Sequence, residues 1–567
     1  MELASEVTSH AEFVSALVFH CTAKQGANPL ISLHNITLNL IGLGQTEMLK
    51  GILEPANMDA TDRQGCLPGT RLEILQDLLV SLTDPSTGHN IVWLCGPTGC
   101  GKSTILNTLA DQLFKLRRCG AFMFWDRNDA LNGDPRRVLV TLAYKLARFN
   151  PIFAEKLASQ IDAWAGITTS SFSIQFEHLI LEPLRALAGS RGAGPIVIIL
   201  DGLDGCGTHK SREGLIQVLK DGLAKLPNMV RVLIASRGEP DMNSAFTRPS
   251  IVRRNIPIDD AAMDSDIFQL FRRRFVPVAA SWKIMGFPSD WPGDQAVQQL
   301  VGRARGLFIW AVTTIRFIEN GRPDHELDRV LDASAHGEPN NQLDKLYGLL
   351  LTRPFSSSNP SEREAVRSIL GAIVVAYEQL TDEQLSKLLR LEPSVVSDIL
   401  HRLRPLLHWN QGEPVRVFHP SITDFLCDPA RCQDAHLYIN ASTYHTTLAI
   451  GCLRVLESEL KFNIAGIETS HLRNKDIPGI QERIDEAISP TLVYASEYWA
   501  DHLESGSGSP SLPLVLTQFM EHRVLFWIEV FSLRNRVSVA SVKLMKVAHW
   551  AKVSHSLCAI NKLRVIF

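Results

Sequence analysis

Hydrophobic and polar positions divide the 567-residue chain into two kinds of territory. Between about residues 67 and 258, short runs of consecutive apolar residues alternate with longer stretches of helical period. The runs fall at 91–95, 121–125, 196–200, 231–235 and, more weakly, 253–258. They are rich in β-branched and aromatic residues and show little polar alternation, which predicts strands of a parallel sheet buried on both faces. Helices are predicted between them at 101–116, 135–162, 173–188 and 211–225, an α/β order. The later chain reads as helix. Phe355-Ser356-Ser357-Ser358-Asn359-Pro360 interrupts it, and Ser361-Glu362-Arg363-Glu364 and Thr381-Asp382-Glu383-Gln384 have the form of capping boxes. With a third helix from Ser394 and strand-like residues on either side of Asn410-Gln411-Gly412, this region has winged-helix order. Ser505-Gly506-Ser507-Gly508-Ser509-Pro510 reads as a flexible linker.

The first predicted strand runs into Gly96-Pro97-Thr98-Gly99-Cys100-Gly101-Lys102-Ser103, and Thr104 continues into a predicted helix. The spacing is G-x-x-x-x-G-K-[ST]. Its glycines let the backbone wrap a phosphate with N–H groups aimed inward. Lys102 supplies a charge to the β/γ-phosphates, and Ser103 offers a hydroxyl to Mg²⁺ at a helix N-terminus. A nucleotide site is therefore expected here.

Two further strands end in polar residues of matching chemistry. Run 196–200 ends in Asp201-Gly202-Leu203-Asp204 and is expected beside the phosphate-loop strand. Asp201 would then support Mg²⁺ through water alongside Ser103, and Asp204 would orient or deprotonate the attacking water. Run 231–235 ends in Ser236-Arg237, where a cation could report whether a γ-phosphate is present.

Bulk properties narrow the class. A net charge of −3 argues against a protein built mainly to coat nucleic acid or an anionic membrane. No apolar run reaches the length of a membrane span and the N-terminus lacks a basic n-region, so a soluble cytoplasmic protein is expected. Two of the ten cysteines lie in or beside the phosphate loop, which favours reduced thiols. Cys427 and Cys432 lack the second pair that a zinc knuckle needs. Seven cations and no acidic residue follow Glu529. They make either a solvated helical face or a surface for an anionic partner.

Together these segments resemble NACHT-type P-loop NTPases of the STAND class, in the fungal subgroup with a nephrocystin-like N-terminal P-loop domain. The phosphate loop, Asp201–Asp204 and Ser236-Arg237 resemble the family's Walker A, Walker B and first sensor. Segments 120–127, 134–137 and 306–311 are similar to further family segments. Phe418-His419-Pro420-Ser421-Ile422-Thr423-Asp424-Phe425-Leu426 resembles the winged-helix histidine motif, and 443–503 the helical linker that precedes sensor repeats. The resemblance implies an α/β P-loop domain followed by helical, winged-helix and all-α domains. Their expected bounds are a short helical region at 1–65, the nucleotide-binding domain at 66–258, a helical domain at 259–350, a winged helix at 361–430, a helical linker at 431–504 and a basic helical tail at 511–567.

The same resemblance implies a switch controlled by ATP, ADP and Mg²⁺, with His419 touching the diphosphate in a closed state and self-association in the ATP state. Signalling of the heterokaryon-incompatibility kind would follow. Gly205 stands where the family usually has another acidic residue, which implies slow or absent hydrolysis. Pro420 replaces a common aspartate after the histidine, and Phe308 a proline near the base. Two alternatives remain: a catalytically inactive nucleotide-binding scaffold, and a DNA-binding regulator that would use His401, Arg402 and Arg404.

Overall fold

A computed structural model describes residues 46–58, 64–84, 86, 88–125, 133–187, 194–258, 260–283, 286–332, 339–355, 359–468 and 471–553. Residues 1–45 of the expected N-terminal helical region, Asp126, Arg127, Lys562 and Arg564 lie outside them. The chain forms two compact units, which meet in sequence at Pro257 and Ile258.

The first unit is built on a five-stranded parallel sheet: β1 (Ile91–Cys95), β2 (Cys119–Phe124), β3 (Ile196–Asp201), β4 (Val230–Ser236) and β5 (Ile251–Asn255). Every residue of β1, β3 and β4 is buried, as consecutive apolar runs require of strands covered on both faces. The spatial order is β2-β3-β4-β1-β5. Here the structure corrects the sequence reading, because β3 is not the neighbour of β1. β4 lies between them, pairing Ser236 with Cys95 on one side and Ala235 with Asp201 on the other. Asp201 therefore stands two strand spacings, about 10 Å, across the sheet from the start of the phosphate loop.

Helices α1 (Leu72–Thr83), α2 (Lys102–Lys115), α3 (Val138–Phe149), α4 (Pro151–Ala163) and α5 (His209–Gly222) surround the sheet in sequence. The single helix expected over 135–162 is broken between α3 and α4. The Asn150 side chain accepts the N–H groups of Ile152 at 2.9 Å and Phe153 at 3.1 Å, and Pro151 takes the first helical position, where no N–H is needed. Residues 46–58, expected ahead of the domain, join its core. Leu49, Leu53 and Met58 are buried there, and the Met58 carbonyl accepts the Phe124 N–H at 3.0 Å.

In the second unit, α6 (Ala261–Ser281), α7 (Asp294–Ala304), α8 (Phe308–Glu319), α9 (Pro323–Asp332) and α10 (Pro339–Thr352) come first. Three helices, α11 (Pro360–Val375), α12 (Asp382–Leu389) and α13 (Pro393–Arg402), precede a short antiparallel pair, β6 (Leu407–His408) and β7 (Arg416–Val417). The Thr381–Gln384 capping box forms as expected. The other box does not. Asn359 caps α11 by accepting the Glu362 N–H, because Pro360 fills the first helical position two residues earlier than the sequence suggested.

Helices α14 (Ser421–Cys427), α15 (Ala441–Glu459), α16 (Pro490–Ser505), α17 (Leu512–His522), α18 (Val524–Leu533) and α19 (Val537–Val553) follow. The stretch after α16 is not a free linker. Ser507 donates its N–H to the Ser442 carbonyl at 3.1 Å, and its own carbonyl accepts the Thr446 hydroxyl at 2.6 Å. Beyond it, Trp499 packs edge-on against Phe519 and Trp527 at 4.9 and 5.7 Å, joining the expected linker and tail in one core. Two cations of α19, Lys543 and Lys546, also turn inward, while Lys552 is exposed. Lys546 binds Asp501 at 2.7 Å and Glu504 at 2.8 Å, and Lys543 pairs with Asp501. Neither the solvated-face nor the anionic-partner reading describes these two residues.

Candidate nucleotide site

The phosphate loop spans the turn from β1 to α2. Gly99 and Gly101 take left-handed backbones, φ 80° and 94°, which glycine adopts without steric cost. Gly96 is needed for a different reason. A Cβ there would lie 2.8 Å from Cys100 Sγ, and Cys100 is wholly buried beneath the loop. The first bond of α2 runs from the Ile105 N–H to the Gly101 carbonyl at 3.1 Å. The N–H groups of Lys102, Ser103 and Thr104 precede it, so the helix itself does not use them, and they can receive an anion. Lys102 Nζ donates to the Gly96 and Pro97 carbonyls at 2.7 and 2.9 Å, which holds its charge over the loop. Thr98 lies within the loop.

A second cation reaches the same loop. Arg71, in a left-handed conformation (φ 59°) just before α1, donates to the Cys100 carbonyl. Sequence reading missed it because nothing in local spacing ties Arg71 to a motif so far downstream.

Asp201 ends β3 and is 1 % exposed. Gly202 turns the chain there with φ 74°; a Cβ would meet the Trp125 carbonyl at 2.9 Å. Asp204 is buried in the short turn Leu203–Gly205, and its Oδ2 lies 3.4 Å from Arg237 Nε while Oδ1 accepts the Arg237 N–H at 3.2 Å. Ser236 is consumed by packing: its Oγ accepts from Trp93 Nε1 at 2.9 Å and donates to the Arg237 carbonyl at 3.0 Å.

Arg212 organises this corner and was also missed. Its side chain is 3 % exposed and donates to Asp241 Oδ2 at 2.8 Å, to Glu239 Oε2 at 2.7 Å and to the Asp204 carbonyl. Burial alone would raise the Asp241 pKa, but the hydrogen bond and charge of Arg212 hold it below the usual carboxylate value. His209, Glu239 and Asp241 have the donor types of a metal site, yet Arg212 holds the same two carboxylate oxygens. A cation there would have to displace a buried guanidinium. Burial likewise pushes the Cys427 and Cys432 thiols up to about 11, away from the thiolate that zinc requires.

His419 belongs to the second unit, two residues before Ser421 opens α14. Its Nδ1 lies 2.7 Å from Ser421 Oγ.

A parallel sheet of this order, with its glycine-lysine loop between the first strand and the following helix, defines a P-loop NTPase fold followed by a helical region. Residues 69–237 match the family described as Nephrocystin 3, N-terminal. No curated protein matches the chain. Among solved structures, the chain is similar to a Signal Transduction ATPase with Numerous Domains (STAND) protein with a tetratricopeptide repeat sensor from Pyrococcus horikoshii. That alignment has 14 % identity, covers 89 % of this chain and 68 % of the other, and has a TM-score of 0.39. Cdc6p from Pyrobaculum aerophilum aligns at 12 % identity over 68 % and 97 % of the two chains, with a TM-score of 0.27. RuvB from Thermotoga maritima aligns at 13 % identity over 62 % and 92 %, with a TM-score of 0.24. With scores this low, the functional reading rests on the site's geometry and the family match. Among the described residues, no helix is long and apolar enough to cross a membrane.

Proposed function

We propose that the chain is a nucleotide-dependent switch of the NACHT-type STAND kind, binding ATP or ADP with Mg²⁺ and hydrolysing slowly or not at all. The observation that carries this reading is the phosphate loop, where Lys102, the first-turn N–H groups of α2 and the Arg71 guanidinium converge. Gly96 to Thr104 would hold the phosphates. Ser103 and, through water, Asp201 would hold Mg²⁺, which would screen phosphate charge. Asp204 would act on water and Arg237 would read the γ-phosphate, but in this structure the two hold each other. A carboxylate paired to an arginine is a poor base, and Gly205 adds no second one; both support slow turnover.

His419, on the winged-helix reading of 361–430, would donate to the diphosphate in the ADP state, and exchange for ATP would allow self-association. Reversing a 1:99 population takes about 5.5 kcal/mol of differential binding, within reach of a few charge-assisted bonds. The DNA-binding alternative is weakened because Arg402, central to its basic face, already pairs with Glu362 and Asp398. The inactive-scaffold alternative differs only in turnover, which a single-turnover assay decides.

The test is light scattering after size exclusion, first with ADP and then with a non-hydrolysable ATP analogue, beside binding constants for wild type and His419→Ala. ADP affinity should fall roughly 10- to 150-fold in the variant while ATP affinity holds. Equal changes for both nucleotides, with no assembly in either, would end the switch reading.

A further inference from the structure

We propose that Ser421 and Tyr347 are positioning residues that hold His419 as one neutral tautomer, with its proton on Nε2. The functional consequence rests on the diphosphate reading of His419; the tautomer itself does not.

Three contacts carry the argument, all within the second unit. Tyr347, on α10 and wholly buried, places its hydroxyl 2.6 Å from Ser421 Oγ. Ser421 Oγ lies 2.7 Å from His419 Nδ1, and the Ser421 backbone N–H points at the same nitrogen from 3.2 Å. The first two contacts alone permit either direction of donation. The chain could run from tyrosine through serine to histidine, or from a protonated Nδ1 through serine to tyrosine. The backbone N–H breaks the tie, because it can only donate. Nδ1 must therefore present a lone pair, and a neutral imidazole then carries its proton on Nε2.

With Nδ1 accepting, the Ser421 hydroxyl closes on it, and the Tyr347 hydroxyl donates into Ser421. Burial keeps the Tyr347 phenol neutral and so able to donate. Supporting contacts hold the relay in place. The Tyr347 and Phe425 rings are 5.7 Å apart, and Arg431 binds Asp344, one turn before Tyr347 on α10, at 2.6 Å. A neutral imidazole in water exchanges between tautomers; here α10 and the first turn of α14 select the one that offers an Nε2–H donor. Nε2–H suits an anionic oxygen, whereas the opposite tautomer would turn a lone pair toward it. The hydrogen that would read a diphosphate is thus set by the packing of α10 on α14.

Tautomers are read directly by two-bond ¹H–¹⁵N correlation on the full chain labelled at histidine, without nucleotide, at a pH where the ring is neutral. His419→Asn assigns the signal. The expected wild-type pattern is an unprotonated Nδ1 and a protonated Nε2. Ser421→Ala keeps the backbone N–H and loses only the hydroxyl, so it should move the ring part of the way toward exchange between tautomers; Tyr347→Phe should move it less, and Ser421→Thr should keep the wild-type pattern. The remaining histidine signals report whether each variant is folded. If Ser421→Ala fails to fold, the Tyr347→Phe and Ser421→Thr pair carries the comparison. A wild-type proton on Nδ1, or wild-type patterns in both Ser421→Ala and Tyr347→Phe, would overturn the proposal. Nucleotide titration separates the two ideas. Unchanged ADP affinity in His419→Ala defeats the diphosphate reading, while the tautomer assignment stands or falls on the spectra alone.

Discussion

The carboxylate of Asp204 holds Arg237 by both main chain and side chain, taking its backbone N–H at 3.2 Å and standing 3.4 Å from its Nε. The two groups proposed to act on water and on the γ-phosphate are thus joined. Whatever frees one frees the other. Steady-state turnover of wild type should lie below about 1 s⁻¹, the low end of ordinary enzymes. Asp204→Asn should remove what remains while leaving ADP affinity within a few-fold. Turnover unaffected by the substitution would show that Asp204 is not the base.

Lys102 rests on two loop carbonyls, so its removal costs little structure but takes away the charge over the phosphates. Lys102→Ala should abolish ATP and ADP binding by isothermal titration and change unfolding stability by no more than about 1–2 kcal/mol. Affinity equal to wild type would exclude the phosphate loop as the nucleotide site.

Arg212→Met should be a stability variant first. It leaves the Asp241 and Glu239 carboxylates and the Asp204 carbonyl without their donor, and breaking a buried ion pair on one side costs about 3–5 kcal/mol. The pH dependence has a definite sign. The folded Asp241 pKa is depressed, so its contribution is present above the unfolded value near 4 and is lost as pH falls through the folded one. Urea midpoints of wild type and variant should therefore converge on acidification. A constant gap down to pH 3 would contradict the pairing.

The histidines of α15 and α16 act on stability in the same direction by a different route, because both are held neutral. The Tyr494 hydroxyl accepts the Tyr377 N–H at 3.3 Å and lies 2.8 Å from His502 Nε2. His502 Nδ1 lies 2.8 Å from His445 Nδ1, a contact in which one ring nitrogen donates and the other must be an unprotonated acceptor. Burial lowers the pKa of His445 to about 4 and holds that of His502 well below its ordinary value. Between pH 6.5 and about 4 the unfolded chain binds protons that the folded chain refuses, so stability should drop across that window. His445→Gln should flatten the drop in melting temperature, and an identical profile in the variant would refute the assignment.

The residues proposed to carry the chemistry were legible in the sequence because their signals are local. Gly96 to Ser103 is a spacing, and Asp201, Asp204 and Arg237 each sit just beyond an apolar run. A run of consecutive buried residues reports a strand covered on both faces wherever it lies in the sheet. It does not report which strand lies next to it. The insertion of β4 between β1 and β3 was decided by pairing across the whole domain. So were the arrival of Arg71 at the phosphate loop, the placing of Arg212 under Asp204, and the spending of Ser236 on Trp93. The tautomer of His419 depends on Tyr347, which is distant in sequence and adjacent only in space. Local pattern determines period and face. Partners brought together across the chain are chosen by the packing that buries them all at once.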